Sequence, residues 1–212
     1  MMNRKSLGLG LVVILALTWG GGFSGLFADG GDADGSGLPN CPVMDEAIDF
    51  TVSTATDDGP VFFCCGGCIE KYEAKPDKYA AKVADQREKL KDRPKVQVTC
   101  PISGKPVDGK TTITHDGETV GFCCPKCPDA FSKDPGKYKS KLANSFTYQT
   151  HCPVSGEAID PATATTLATG QTLYFCCPKC NAKLAADPAS YVSKLGTMGI
   201  HIDPKKLTKS EG

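Results

Sequence analysis

A short cysteine motif, Phe-Cys-Cys-x-x-Cys, constrains this chain more than any other feature, because it occurs three times. The copies lie at residues 63–68, 122–127 and 175–180. A Cys-Pro step precedes each copy, at Cys41, Cys100 and Cys152. These positions account for all 12 cysteines of the 212-residue chain. The fold is therefore expected to be organised around the chemistry of thiols.

The repeated motif divides the chain into tandem units. We place these units at residues 39–92, 98–143 and 150–196. A unit of about 45 to 55 residues is near the size at which a hydrophobic core alone gives marginal stability, and metal ions or disulfides usually contribute. The sequence thus predicts three small units, each stabilised through its own cysteines.

Turn and helix signals predict an α+β fold for each unit. In the second unit, threonine-rich stretches flank Asp116-Gly117, and Asp-Gly between β-forming residues is a strong hairpin signal. Beyond the last cysteine the pattern becomes helical, and Asp134-Pro135 then predicts a helix N-cap with proline in the first turn. We expect each unit to contain a cysteine knuckle, a β-hairpin and two short helices.

The cysteine spacing favours a metal site. The first and second cysteines of a unit are separated by 22, 22 and 23 residues in the three copies, and the hairpin in this gap returns the chain so that the thiols converge. A helix N-terminus lowers the pKa of a nearby thiol, and thiolates suit Zn²⁺ or Cu⁺. The candidate ligands are Cys41, Cys64, Cys65, Cys68, Cys100, Cys123, Cys124, Cys127, Cys152, Cys176, Cys177 and Cys180.

The succession of Cys-Pro-Val-Ser-Gly, hairpin, Phe-Cys-Cys-x-x-Cys and Pro-x-x-Tyr resembles the TRASH/YHS family of small metal-binding domains, over nearly all of residues 39–195. The resemblance implies treble-clef-like units that bind or sense heavy metals, copper and zinc among them. It implies that the first, second and last cysteines of each unit are the core ligands. These are Cys41, Cys64 and Cys68; Cys100, Cys123 and Cys127; and Cys152, Cys176 and Cys180.

Two positions of each unit depart from the family pattern. Family members often carry a cysteine where this chain has Met44, Ser103 and Ser155. They often carry a serine where it has Cys65, Cys124 and Cys177. A fourth ligand that has moved from the knuckle to the second cysteine of the pair is one alternative, and strain between adjacent cysteines opposes it.

Other roles for the cysteines are kept as alternatives. An exported chain with an even number of cysteines can form disulfides, two in each unit. A metal ion can also be purely structural and hold a module that binds another protein. A thiol–disulfide oxidoreductase using the Cys-Pro-Lys-Cys stretches is opposed by units too short for a βαβ framework. We expect no enzyme activity, because no repeated His, Asp or Glu accompanies the thiols as a catalytic base.

The N-terminus predicts export. Arg4 and Lys5 precede an uncharged run at residues 6–28, so residues 1–28 are interpreted as a signal peptide or a membrane anchor. A Gly/Asp-rich linker follows at residues 29–38. The rest of the chain is expected in an extracytoplasmic compartment, the periplasm or cell envelope, either secreted or anchored by this segment.

Charge and the remaining residues define the expected partners. The 24 basic and 24 acidic residues balance, which gives no electrostatic footprint for nucleic acid. We expect metal ions as partners, together with a metal-transport or other envelope protein.

The histidines occupy different repeat positions, and only His151, beside Cys152, is close to a thiol in sequence. Residues 197–212 contain no repeated feature and are predicted to form a flexible tail.

Overall fold

The computed structural model describes residues 37–204. The predicted signal peptide or anchor, most of the linker at residues 29–38, and residues 205–212 lie outside the described part. Between residues 37 and 204, no helix combines the length and the apolar character needed to cross a membrane.

The first unit consists of a β-hairpin followed by two helices. Strands β1 (Asp49–Thr56) and β2 (Gly59–Phe63) pair antiparallel. Helices α1 (Gly66–Ala74) and α2 (Ala80–Leu90) are joined by a 3₁₀ turn, Pro76–Tyr79. Because β2 ends one residue before the Cys-Cys pair, the hairpin carries that pair back towards the knuckle.

The second and third units repeat this order, and a short additional strand lies just before each of them. Strand β3 (Val96–Gln97) is followed by β4 (Thr112–His115), β5 (Glu118–Gly121), α3 (Cys127–Lys133), a 3₁₀ turn (Pro135–Tyr138) and α4 (Lys139–Ala143). Strand β6 (Phe146–Thr147) is followed by β7 (Asp160–Thr166), β8 (Thr172–Phe175), α5 (Pro178–Ala186), a 3₁₀ turn (Pro188–Tyr191) and α6 (Val192–Gly196). The predicted α+β fold of small hairpins and short helices is confirmed.

The turn of the second hairpin has the geometry that its sequence predicts. Strands β4 and β5 are antiparallel, with His115 opposite Glu118. The two residues between them both have positive φ, 51° at Asp116 and 83° at Gly117. Positive φ at both central positions is characteristic of the type I′ turn, whose twist matches that of the flanking strands.

Each unit has its own hydrophobic core, built around the phenylalanine that precedes the Cys-Cys pair. Phe63, Phe122 and Phe175 are fully buried. The knuckle cysteine and the last cysteine of each unit belong to the same core as this phenylalanine. The thiol clusters are therefore fixed by packing at the edge of a core, as well as by the backbone.

The predicted Asp-Pro break between helices is present. The Asp134 carboxylate accepts a hydrogen bond from the backbone N–H of Lys137 at 3.2 Å, and Asp187 accepts one from Ser190 at 3.4 Å. Lys75 occupies this position in the first unit and makes no side-chain cap. In all three units the chain continues as a 3₁₀ turn before the second α-helix begins.

The units pack against one another. The ring of Tyr148, between the second and third units, stacks on Phe50 of the first unit at a centroid distance of 4.8 Å. The side-chain amide of Asn144 donates to the backbone oxygen of Thr56 at 2.7 Å. Strands β3 and β6 pair antiparallel, which ties the two inter-unit connections together.

The segment after α6 returns to the first unit. Ile200 is fully buried in the core of the third unit. The backbone oxygen of Gly199 accepts a hydrogen bond from the N–H of Phe50 at 2.9 Å. The prediction of a flexible tail is therefore wrong for residues 197–203, because burial and inter-unit hydrogen bonds hold this segment in place.

A buried carboxylate joins the first and third units. Asp49 is 2% exposed, and its Oδ2 atom accepts hydrogen bonds from the backbone N–H of His201 at 2.9 Å and from Nε2 of Gln171 at 3.0 Å. Its Oδ1 atom accepts from the N–H of Thr51 at 2.8 Å. A buried charge is tolerated only when it is well hydrogen-bonded, so this contact requires both units to be in place.

Candidate metal centres

The Cys-Pro step forms the same tight turn in each unit. Four residues after the knuckle cysteine, a backbone N–H bonds back to its oxygen, from Asp45, Gly104 and Gly156 at 2.9, 2.8 and 2.9 Å. These residues have φ values of 63°, 72° and 79°. Glycine adopts this left-handed conformation without strain, and aspartate is one of the few other residues that tolerates it. The predicted knuckle is therefore present in all three units.

Three sulfur atoms converge in each unit. The Sγ atoms of the knuckle cysteine, the first cysteine of the pair and the last cysteine all lie within 4.8 Å of one another. The sets are Cys41, Cys64 and Cys68; Cys100, Cys123 and Cys127; and Cys152, Cys176 and Cys180. All twelve cysteines are free thiols in this structure. Each set can hold a metal ion, as the spacing of the motifs predicts.

The separations of the sulfur atoms suit a tetrahedral ion. The Sγ atoms of the first and last cysteines of the motif are 3.7, 3.7 and 3.6 Å apart in the three units. With Zn–S bonds of about 2.3 Å, tetrahedral geometry holds two sulfurs roughly 3.8 Å apart. The thiols are therefore already positioned for coordination.

Burial differs between the members of each set. The knuckle cysteines and the last cysteines are buried, whereas Cys64, Cys123 and Cys176 are half-buried. An ion at the centre of the three sulfurs would thus be held on two sides by the core and reached by solvent or a partner on the third. The first cysteine of each pair is therefore the member of the set that solvent reaches most easily.

Backbone N–H groups favour the ionised form of two knuckle thiols. Burial raises the pKa of Cys100, but hydrogen bonds from the backbone of Ser103, Cys123 and Ile102 outweigh it and lower the pKa from 9.0 to about 7. At Cys152 burial likewise opposes ionisation, and backbone hydrogen bonds lower the pKa to about 6. These thiols are ready to act as anionic ligands near neutral pH.

The last cysteines show the opposite tendency. Burial is the main cause that raises the pKa of Cys68, to about 11, and it also raises the pKa of Cys127 and Cys180. A metal ion supplies the positive charge that a buried thiolate needs. Binding of an ion to such a set would therefore displace a proton from the last cysteine.

The middle cysteine of each motif stands outside the three-sulfur set. Cys65, Cys124 and Cys177 are not members of the converging groups. Their Sγ atoms nevertheless lie 3.6, 3.4 and 3.7 Å from the Sγ of the last cysteine. The sequence does not separate these thiols from the ligands, because the distinction depends on the direction of the side chains.

The position three residues after the knuckle cysteine borders the set. The hydroxyl oxygen of Ser103 lies 3.1 Å from Sγ of Cys123, and that of Ser155 lies 3.2 Å from Sγ of Cys176. In the first unit this position is Met44, whose side chain is 49% exposed. The first site therefore differs chemically from the other two.

A glutamine amide supports the cysteine motif in each unit, and sequence reasoning missed it. The amide bonds to both the N–H and the oxygen of the residue just before the phenylalanine of the repeated motif. The pairs are Gln86 with Phe62, Gln97 with Gly121, and Gln149 with Tyr174, at distances of 2.6 to 2.9 Å. These contacts fix the strand that leads into the thiols. The sequence signal that could have found two of these contacts is a glutamine three residues before Cys100 and before Cys152.

None of the histidines between residues 37 and 204 belongs to a three-sulfur set. His151, the histidine next to a knuckle cysteine, has an exposed side chain whose Nδ1 lies 2.8 Å from the hydroxyl of Thr150. The ring of His115 packs edge-on against Phe131. The described geometry therefore assigns the candidate ligands to sulfur.

Comparison with known protein families, with curated proteins and with solved structures finds no match. The resemblance to TRASH/YHS domains stays a prediction from the motifs. The function must therefore be argued from the thiol clusters themselves.

Proposed function

We propose that this protein binds, buffers or transfers a thiophilic metal ion, Zn²⁺ or Cu⁺, through its cysteine thiolates and without catalysing a reaction. The observation that carries the proposal is the convergence of three Sγ atoms, within 4.8 Å of one another, in each of three units. Three thiols that converge in this way suit a single ion, whereas a disulfide joins only two of them.

The burial pattern supports the handling of an ion in addition to structural support. The half-buried thiols, Cys64, Cys123 and Cys176, offer a side from which an incoming ligand can approach. Ion transfer between proteins proceeds by such ligand exchange, for which an extracytoplasmic metal-transport protein is the partner that we propose. Export through residues 1–28 is part of the same proposal.

A structural zinc module is the second candidate, and one observation favours it. The knuckle cysteine and the last cysteine of each unit are members of the hydrophobic core. An ion between them would tie the knuckle to the helix that follows the motif, and units of this size commonly depend on such an ion.

Native mass spectrometry of the reduced full-length protein tests whether ions bind at all. We expect three ions, and free thiols after chelation, and we expect Cys127→Ser to reduce the number to two. Lys126→Ser, at the exposed neighbouring position, is the matched control and should retain all three. Six disulfides and no bound metal would overturn the proposal.

The rate of exchange then separates the two candidates. Zn²⁺ that passes to a competing chelator within minutes indicates handling of the ion, whereas ions that leave only when the protein unfolds indicate a structural role. Reduction of insulin by the protein would point instead to an oxidoreductase.

A further inference from the structure

The middle cysteine of each motif has a chemical role distinct from that of the ligands, and the same arrangement occurs three times. Its Sγ atom lies 3.4 to 3.7 Å from the Sγ of the last cysteine, which is itself a member of the three-sulfur set. The two sulfurs therefore touch, and the sulfur of the middle cysteine is outside the group of three that converges.

We propose that Cys65, Cys124 and Cys177 are redox-reactive thiols that form disulfides with Cys68, Cys127 and Cys180, and that this reaction with a low-molecular-weight disulfide releases the bound ion. The proposal rests on the metal-binding function above. It adds to that function a chemical trigger for the release of the ion.

The backbone favours this pairing. In each unit the N–H of the last cysteine donates to the backbone oxygen of the middle cysteine at 3.1 Å, which holds the two residues in one tight turn. A disulfide has an S–S bond of about 2.05 Å, so a small rotation about the side-chain torsions closes the remaining gap. The alternative disulfide would join Cys64 to Cys68. Both are members of the three-sulfur set, so two ligands would have to leave the ion together.

Exposure and position outside the three-sulfur set together identify the thiol that attacks first. Cys65 is exposed, and Cys124 and Cys177 are half-buried, whereas the last cysteine of each unit is buried. The first cysteines of the pairs are also half-buried, but they belong to the three-sulfur sets and would be held by the ion. In the first unit a cleft of about 390 Å³, lined in part by Cys64, Cys65 and His201, provides room for a small disulfide beside the thiols. The middle cysteine is therefore the accessible thiol that is free to attack, and the last cysteine resolves the product.

The reaction balances as thiol–disulfide exchange. The Cys124 sulfur attacks a disulfide R–S–S–R, an S–S bond forms between Cys124 and one RS group, and the other RS group leaves and takes the proton of Cys124. The Cys127 thiolate then attacks the Cys124 sulfur, the mixed disulfide breaks, and the second RS group leaves as a thiolate. Two protein thiols are oxidised and one external disulfide is reduced to two thiols. The three-sulfur set has lost one ligand.

Loading the full-length protein with Zn²⁺ and adding oxidised glutathione tests the proposal, with zinc release followed by a colorimetric chelator. We expect release of all three ions, and disulfides mapped by mass spectrometry between the middle and last cysteines. The variant C65S/C124S/C177S should load three ions and release them at least about tenfold more slowly, because the attacking thiol is absent. Serine is favoured at helix N-caps, where Cys65 and Cys177 lie, so the fold should be retained.

The single variant Cys124→Ser contains its own control, since the first and third units remain intact. It should release two ions rapidly and one slowly. A triple variant that loads fewer than three ions would show that the middle cysteines are ligands, and would overturn the proposal. Unchanged release, or disulfides mapped to Cys123 and Cys127, would also overturn it. If the reduced wild-type protein binds no zinc, the metal-binding function itself fails, and disulfide mapping of the metal-free protein then tests the pairing alone.

Discussion

At the scale of single residues, the knuckle thiol and the last thiol of a unit differ in the direction in which their pKa is shifted. Backbone N–H groups lower the pKa of the knuckle thiol to about 7 at Cys100 and about 6 at Cys152, although burial opposes this. Burial raises the pKa of the last cysteine, to about 11 at Cys68. In the second and third units, where burial also raises the pKa of the last cysteine, one thiolate of the site is thus provided by the fold, and another would form when an ion displaces its proton.

The lowered pKa of Cys100 predicts how the stability of the metal-free protein depends on pH. Its folded-state pKa lies below the ordinary value of 9.0, so its contribution to stability is fully present above that value and is lost as the pH falls through about 7. We expect the thiolate ultraviolet absorbance of the reduced, metal-free protein to show a step near pH 7, which Cys100→Ser removes. A difference titration with a midpoint at or above the ordinary value of 9.0 would contradict this assignment.

At the scale of secondary-structure elements, a glutamine amide completes the hydrogen bonding of the strand that precedes each cysteine motif. In the third unit, Oε1 of Gln149 accepts from the N–H of Tyr174 at 2.9 Å, and Nε2 donates to the oxygen of Tyr174 at 2.6 Å. Each hairpin has only two strands, so the outer edge of β8 would otherwise lack partners at this point. The amide therefore takes the place of a third strand.

Removal of this amide should destabilise the third unit. We expect Gln149→Met, which keeps the approximate shape of the side chain, to lower the free energy of unfolding by about 1–3 kcal/mol, because two backbone groups lose their partners. Gln149→Glu should behave similarly, since a carboxylate can accept from Tyr174 but cannot donate to it. Urea unfolding of the metal-free protein measures the difference. Equal stability of the Met variant and the wild type would contradict the role given to the amide.

The hairpins could be predicted from the sequence, whereas the glutamines could not. Asp116-Gly117 is a local signal, because the turn geometry depends on the two residues themselves. Gln86 contacts Phe62, 24 positions away. Its side chain is only 1% exposed, although it lies in a stretch rich in charged residues. Contacts made across the fold leave no periodic pattern in the sequence.

The candidate site, too, could be predicted from the sequence only in part. The knuckle and the Cys-Cys-x-x-Cys motif predict which thiols meet, because the hairpin between them has a definite length. The separation of Cys124 from the three-sulfur set could not be predicted, since Cys123 and Cys124 are adjacent and chemically identical. Only the directions of their side chains distinguish a ligand from its neighbour.

At the scale of the whole molecule, the three units are not independent. Phe50 of the first unit stacks on Tyr148 at 4.8 Å and donates its N–H to Gly199 at 2.9 Å. The buried carboxylate of Asp49 is satisfied in part by Gln171 and by the backbone of His201. Contacts from beyond the third unit therefore complete the core of the first.

The packing of residues 197–203 against the first unit depends most directly on Gly199. Its φ is +72°, and a Cβ atom there would lie 2.8 Å from Cδ2 of Phe50 and 2.9 Å from Cδ1 of Leu38. We expect Gly199→Ala to destabilise the protein by about 2–4 kcal/mol, from the left-handed conformation and overpacking together.

Gly196→Ala is the matched control, because no atom lies within 4 Å of its Cβ position. At the end of α6 this change should be neutral or stabilising by up to about 1 kcal/mol. Thermal unfolding of both variants provides the comparison. A Gly199→Ala variant as stable as Gly196→Ala would show that residues 197–203 do not close on the first unit.

The contact between His201 and Asp49 spans 152 positions of the chain, and this separation has a consequence for biosynthesis. A polypeptide is made from its N-terminus, so Asp49 and Phe50 emerge long before the residues that cover them. Contacts of such high sequence separation form late, because the loop between them must first be closed. The N-terminal unit is therefore the first to be translated and among the last to be completed. A premature stop codon before Gly199 would leave every cysteine in place and still expose the core beneath the first of the thiol clusters.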